Sequence, residues 1–341
     1  MTSFPSDPPP SDALAAHPSA SADSTSPRGV QRPIPCPLER WSEGLQILFR
    51  RAPQSLRPAM IAEALKDLHT GQLAPDTLWI TLRHDRTIGA IRWFPLDHHT
   101  AFLHPPEVVH ARRRAAVAAQ LVRAVLKDLK HRGLRAVQAL LDPEQDQVAA
   151  ADFIRGGLPA VTTLELLERS TLIPPIVPQR TPRLVWREYQ PDLDQVFDRI
   201  LRRTAIDSLD LPELNGLRGF QDVLAGQVAA GRFLASFWRL GAPIEEGPNF
   251  DPWARPERVV LLCAPSNRYD AWELTYLGLT PEARGRGLAR RALADALELT
   301  REHASRLTLA VDLRNLPAVR LYRAAGFVPF DRRAVHLLRL N

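Results

Sequence analysis

The sequence predicts an α/β (α+β) fold in which one β-α-β-α-β unit occurs twice, behind a disordered N-terminal tail. Three observations predict it. Strand and helix patterns alternate in the same order in both halves. A proline turn, a long helix and a glycine stop recur at matching places. A Pro-rich stretch, Ile173-Pro174-Pro175-Ile176-Val177-Pro178, separates the two.

Taken in order, residues 1–37 are rich in Pro, Ser, Ala and Asp and have no hydrophobic period. Such a segment buries too little apolar surface to offset its chain entropy, so it is read as a disordered tail. The first domain, 38–172, has a strand leading to Pro105-Pro106 and then a helix from about Glu107 to Lys130. A strand over Leu134–Leu141, a helix over Gln147–Arg155, the stop Gly156-Gly157 and a strand over Val161–Leu167 complete it. Residues 173–186 form the linker.

The second domain, 187–341, opens with helical patterns between Asp192 and Gly231, interrupted by the polar, Pro/Gly-punctuated loop Asp207–Gly216. Loops of this kind often carry substrate contacts, although a plain connection fits as well. Trp272–Leu279 reads as a strand and Pro281 as its turn. A helix from Glu282 to Ser305 carries Ala289, Leu293, Ala296, Leu297 and Ala304 on one face. Leu307, Leu309, Val311 and Leu313 alternate with smaller or polar residues, the mark of a half-buried strand. A short helix over Leu316–Ala325, the stop Gly326 and a strand ending near Leu340 close the chain.

The totals bound the function. At 341 residues with 45% hydrophobic and 24% charged residues, the composition is that of a soluble globular protein of two domains. The longest apolar run, Val259–Ala264, has the length of a buried strand, and the N-terminus has no secretory pattern, so a cytoplasmic location is expected. Cys36 and Cys263 match no metal or redox spacing and are expected as free thiols; no metal site is expected. A net charge of +6, with arginine far exceeding lysine, suits a polyanionic partner. No zinc-finger spacing or basic-aromatic platform is present, so nucleic acid is disfavoured against a phosphate-rich cofactor.

The chemistry concentrates in two runs. Arg284-Gly285-Arg286-Gly287-Leu288-Ala289 is a glycine-bearing turn between a strand and a helix. Such a turn points several backbone N–H groups and the positive end of a helix dipole at an anion. Gly285 and Gly287 let backbone approach the ligand, and Arg284 and Arg286 add charge. The turn fits neither the P-loop nor the dinucleotide fingerprint. The second run, Asn315-Leu316-Pro317-Ala318-Val319-Arg320-Leu321-Tyr322, ends at Gly326-Phe327 and puts an amide and a phenol on the next helix.

In that order and separation the two runs resemble the GCN5-related N-acetyltransferase (GNAT) superfamily, most closely over Trp272–Phe330. The resemblance implies two tandem GNAT-like domains, each a mixed, mostly antiparallel sheet flanked by helices. It implies acetyl-CoA as co-substrate. The Arg284–Ala289 turn would hold its pyrophosphate, with Ala289 where many members have glycine. The strand end Leu277-Gly278-Leu279 would pair with the pantetheine arm and offer an N–H to the oxyanion. Asn315 and Ala318 would lie against the cofactor, and Tyr322 would protonate the departing thiolate. Glu273 matches a glutamate that often serves as base, directly or through water; Asp270 is the alternative.

The first half departs from this pattern. Arg112-Arg113-Arg114-Ala115-Ala116-Val117 lacks both glycines, Phe153 stands where Tyr322 would, and no asparagine matches Asn315. It is expected to be a non-catalytic copy that shapes the substrate cleft, in a tandem layout similar to that of the mycothiol synthases. The function so implied is acetyl transfer to a primary amine by direct attack in a ternary complex. The amine belongs to a small molecule or to a protein or peptide, and the alternative of another class is a non-enzymatic CoA-binding sensor. The chain is expected to be a monomer with pseudo-dimeric halves.

Overall fold

The computed structural model describes residues 29–340 apart from 110, 178, 180, 218 and 245–250. Most of the tail expected over 1–37 lies outside the described residues. Its last part does not behave as tail: Val30 bridges to Arg83, and β1 (Ile34–Pro35) pairs with Trp79 and Ile80. These short apolar residues cap a sheet edge that would otherwise present unpaired backbone.

Next come α1 (Trp41–Leu48), α2 (Arg57–His69), β2 (Leu78–Arg83), β3 (Arg86–Pro95), β4 (Thr100–Leu103) and β5 (Glu107–Val108). Then follow α3 (Arg114–His131), β6 (Ala136–Leu141), α4 (Gln147–Gly156) and β7 (Ala160–Ser170). The second half holds β8 (Arg183–Glu188), α5 (Asp194–Thr204), α6 (Phe220–Ala229), β9 (Trp238–Ile244), β10 (Val259–Pro265) and β11 (Ala271–Leu279). It ends with α7 (Leu288–Thr300), β12 (Arg306–Asp312), α8 (Leu316–Ala324) and β13 (Val328–Arg339). The expected order of elements is therefore present in both halves. The linker is shorter than its composition suggests, because β8 starts at Arg183.

Two helix starts differ from the sequence reading. Glu107 does not open a helix; it is buried in β5 against β3, with Arg51 Nε 2.8 Å from its carboxylate, and α3 starts at Arg114. Likewise Glu282–Gly287 is not α-helical. Pro281–Ala283 makes one 3₁₀ turn, and Gly285 and Gly287 sit at φ of 73° and 78°, a left-handed backbone that postpones α7 to Leu288.

All strands join one sheet in the order β1-β2-β3-β4-β6-β13-β7-β12-β11-β10-β9-β8, with β5 added to β3. Pairing is antiparallel except for β4 with β6 and β11 with β12, the two crossovers made through α3 and α7. The halves exchange their last strands. β13, from the end of the chain, lies between β6 and β7, and β7 pairs in register along all of β12. Glu165 on β7, fully buried, receives Arg323 at 2.7 Å and Arg332 at 2.8 Å from the second half, which pins the exchange.

Each half keeps its own core. In the first, Ile91, Leu103, Leu121, Val125, Val137 and Phe153 pack between the sheet and α3 and α4. In the second, Leu293, Leu297, Leu307, Leu309 and Trp272 fill the α7 face, while Phe197, Phe220, Trp238 and Leu262 fill the α5–α6 face. Cys36 and Cys263 are buried and unpaired, and burial pushes both thiols up to about 12. Among the described residues no helix is long and apolar enough to cross a membrane.

Candidate active site

The site is made where the sheet opens. β11 and β12 pair only from Ala271 to Glu273; beyond that point their backbones part. A bulge helps: Cys263 faces Leu274 but Leu262 faces Tyr276, so Thr275 is the extra residue and the strand bends there. The edge of β11 from Leu274 to Leu279 then borders a cavity of about 650 Å³ instead of another strand. Backbone groups on such an edge are free to pair with an extended ligand.

Gly278 is required by a close approach. A Cβ there would lie 2.5 Å from the Tyr276 ring and 2.9 Å from Thr204 Cβ. Tyr276 is fixed in turn by a 2.7 Å hydrogen bond between its hydroxyl and Thr204 Oγ1. Burial raises the Tyr276 phenol above its ordinary value, and the charge of Asp210 adds to this.

The glycine turn faces the same cavity. Gly287 caps α7 in the left-handed region, and its carbonyl accepts from the N–H groups of Arg290 and Arg291. Leu288 and Ala289, whose N–H groups precede the first of these bonds, line the cavity, and the helix dipole favours an anion there. Arg284 braces the turn: its guanidinium donates to the carbonyls of Leu279 at 3.3 Å, Thr204 at 3.1 Å and Ile206 at 2.6 Å. Arg286 points elsewhere and pairs with Glu257 at 2.6 Å.

Across the cavity Asn315 caps α8, its Oδ1 accepting from the Ala318 N–H at 3.3 Å. Tyr322 is one helical face further on and 8% exposed, with Phe327 edge-on at 5.9 Å. Burial, and then the negative charge of Asp210, push its phenol well above the usual tyrosine value.

Of the residues singled out by sequence, Leu277, Gly278, Leu279, Arg284, Gly285, Gly287, Leu288, Ala289, Asn315, Ala318 and Tyr322 line this one cavity. Arg286 and Glu273 do not. Glu273 sits before the bulge and is ion-paired to Arg232 of the α6–β9 segment, which also donates to the Pro265 carbonyl at 2.8 Å. Asp270, its alternative, accepts from the Ser305 N–H at 3.0 Å on the far side of the strand.

Sequence reasoning missed Thr181, Thr204, Asp207, Asp210 and Tyr276, which also line the cavity. The polarity of the Asp207–Gly216 loop was the one signal that pointed there. That loop is held in a costly shape, with Asp207 at φ 52° and Leu211 at φ 41°. Its anchor is Asp312, fully buried, whose Oδ2 accepts the Leu211 N–H at 3.2 Å and whose own N–H donates to Asp210 Oδ1 at 3.4 Å. Arg314 bridges Asp312 and Glu213, each at 2.7 Å. The Asp210 side chain shows its surface to the cavity and is crowded by protein elsewhere. Desolvation raises its carboxyl above the ordinary range; the Asp312 charge adds to this, while the Asp312 N–H bond and Arg314 oppose it.

The first half is tightly packed at the corresponding place. Gly156 of α4 meets α3 so tightly that a Cβ would lie 2.4 Å from Val122, and Asp152 is buried against Arg114 at 2.6 Å. Phe153 lies fully buried in the core, where Tyr322 faces a cavity.

A model of the acetyltransferase (GNAT) family matches residues 41–157 and 253–327, more than half of the chain and part of both halves. The chain belongs to the GNAT family. Among solved structures, this GNAT chain is similar to a GCN5-related N-acetyltransferase from Sphaerobacter thermophilus, at 17% identity and a TM-score of 0.55 over 93% of this chain and 98% of that one. It is also similar to a glucosamine N-acetyltransferase region of a fungal multi-domain β-N-acetylglucosaminidase, at 13% identity and 0.52, over 82% of this chain and 36% of that one. A tandem GNAT protein from the clavulanic acid biosynthesis pathway aligns at 17% identity and 0.48, over 92% of this chain and 99% of that one. These likenesses concern the fold. No protein of curated function matches the sequence.

Proposed function

We propose that this GNAT protein is an acetyl-CoA-dependent N-acyltransferase whose chemistry is confined to the second half. The observation that carries this reading is the convergence, on one cavity of about 650 Å³, of an unpaired β11 edge, the Gly285–Gly287 turn and Tyr322. The residues fit the co-substrate: an edge for an extended arm, N–H groups at a helix start for a diphosphate, and small Ala289 and Ala318 where bulk would obstruct. When bound, the co-substrate supplies an activated thioester.

The chain's own groups then have distinct tasks. Backbone N–H groups near the Thr275 bulge orient the acyl carbonyl and steady charge on its oxygen. Tyr322 keeps its proton at neutral pH and holds it on the sulfur side of the cavity. A primary amine arrives protonated and must lose a proton before its nitrogen can bond to carbon. We assign that proton to Asp210, whose carboxylate faces the cavity without an ion-pair partner among the described residues. Glu273 is engaged by Arg232 outside the cavity lining and is assigned a structural part.

Calorimetry with acetyl-CoA tests the reading. The intact chain is expected to bind one equivalent, and Gly287→Glu, which fills the turn with a carboxylate, is expected to abolish binding. Absence of binding by the intact chain, or unchanged binding by the variant, removes the proposal. Release of free CoA thiol across a panel of small amines and peptides then identifies the acceptor. Binding without turnover on any of them would favour a CoA sensor.

A further inference from the structure

Outside the acyl cavity the structure contains a second hollow, of about 360 Å³, between α5, the edge strand β8 and the segment that leads into β10. Its lining includes Arg187, Arg199, Arg203, Arg255 and Arg258, with Trp253 and a few apolar side chains, and no carboxylate among the described residues. It shares no lining residue with the acyl cavity.

The arginines are not equivalent. Arg258 is 8% exposed and donates to the carbonyls of Trp253 at 2.6 Å and Glu257 at 2.7 Å. Arg203 pairs with Glu282 at 2.5 Å. Arg187 has its guanidinium carbon 4.0 Å from the Trp253 ring centre; among the described residues it has no carboxylate partner, and Arg199 has no hydrogen bond or ion pair. The crowding has an energetic mark. Burial lowers the Arg258 pKa, and the charges of Arg187 and Arg203 lower it further, against Glu257 and Asp251. Like charges gathered around an apolar floor focus a positive field, and an anion relieves the repulsion while gaining forked, charge-assisted hydrogen bonds.

We infer that this hollow is a binding site for a small molecule bearing a diphosphate group, separate from the acyl-CoA cleft. Two guanidinium forks without carboxylate partners among the described residues, on α5 and β8, suit two phosphate groups. The space exceeds what one phosphate fills and lies in the range of small-ligand sites.

Titration of inorganic pyrophosphate into the full chain, at low ionic strength with and without CoA, tests the inference. One equivalent is expected to bind in both conditions. Affinity is expected to fall about tenfold or more in Arg199→Gln, in Arg187→Gln, or in both, as charge-assisted bonds are lost. Both side chains are exposed, so thermal midpoints are expected to stay at the parent value. Three outcomes overturn the site. These are no binding of pyrophosphate, binding abolished by CoA (which places it at the Gly285–Gly287 turn), and unchanged affinity in both variants (which leaves only a solvated arginine cluster).

Discussion

The guanidinium of Arg114 lies 2.6 Å from the carboxylate of Asp152 and ties the start of α3 to α4 in the half that lacks the glycine turn. Asp152 precedes Phe153 as Leu321 precedes Tyr322, so a buried charge pair stands in one half where the other has two cavity-lining side chains. Asp152→Ala leaves a guanidinium facing the interior without its partner. A loss of about 3–5 kcal/mol is expected in urea unfolding, and an added Arg114→Leu should recover much of it. An additive double variant would refute the pairing.

Tyr322→Phe removes one oxygen from a side chain that makes no hydrogen bond to the described residues, so packing against Phe327 should survive. Turnover is expected to fall about 10²–10⁴-fold, with the acetyl-CoA dissociation constant nearly unchanged. Equal turnover in steady-state assays would take Tyr322 out of the proton path.

The Asp210 carboxyl binds its proton more tightly in the folded chain than in the unfolded one. Its contribution to stability is therefore full below the ordinary aspartate pKa and is lost as pH rises through the raised folded value. Asp210→Asn should raise the thermal midpoint at neutral pH and leave it little changed in acid. The same substitution should lower kcat/KM and remove an acidic limb that, in the parent, lies above the ordinary carboxylate range. A midpoint lowered at neutral pH, or an unaltered pH–rate profile, would count against this role.

Gly278→Ala places a methyl group 2.5 Å from a ring that is itself fixed to Thr204. Something must shift, and a cost of about 1–3 kcal/mol is expected, together with weaker acetyl-CoA binding as the β11 edge moves. Removing the obstruction with Tyr276→Ala in the same chain should restore part of the lost stability. Calorimetric scanning of the two variants checks this.

Glu165→Ala strips the shared, buried carboxylate from Arg323 and Arg332, two half-exposed guanidinium groups that are then left to solvent. A loss of about 1–3 kcal/mol is expected, since the charge-assisted bonds are lost but no charge is left buried. Because β7 and β13 each complete the other half's sheet, far-UV and tryptophan signals should report one coincident transition in the parent. Two separated transitions would show that the halves unfold independently.

Much of this was legible in the sequence. The second-half motifs are local: a strand, a turn that needs glycine and a helix start follow one another, so Arg284–Ala289 and Asn315–Tyr322 could be placed before any fold was known. What escaped depends on distant partners. Glu273 reads as a base on its own strand, and its ion pair with Arg232, from another element, has no mark in the local sequence. Arg286 reads as a phosphate ligand until Glu257 is brought beside it. Asp210 belongs to a loop whose strained shape is set by Asp312 a hundred residues later. Helix onsets were misread at Glu107 and Glu282 because polar, helix-favouring residues there serve a short strand and a turn. The strand exchange left no mark in the periodicity, since a strand has the same pattern whichever neighbour it joins.

The exchange of β7 and β13 makes this polypeptide the single-chain counterpart of a swapped dimer. Each half is a donor and an acceptor of one strand, so neither is a closed unit that could be excised, duplicated or traded alone. The first half lacks the glycine turn and has Phe153 where the second has Tyr322. It cannot be discarded, because β7 is the strand that flanks β12 beside the acyl cavity. Inheritance of the first half is thus enforced by topology, and drift in its interior is free only as far as that one strand keeps its register.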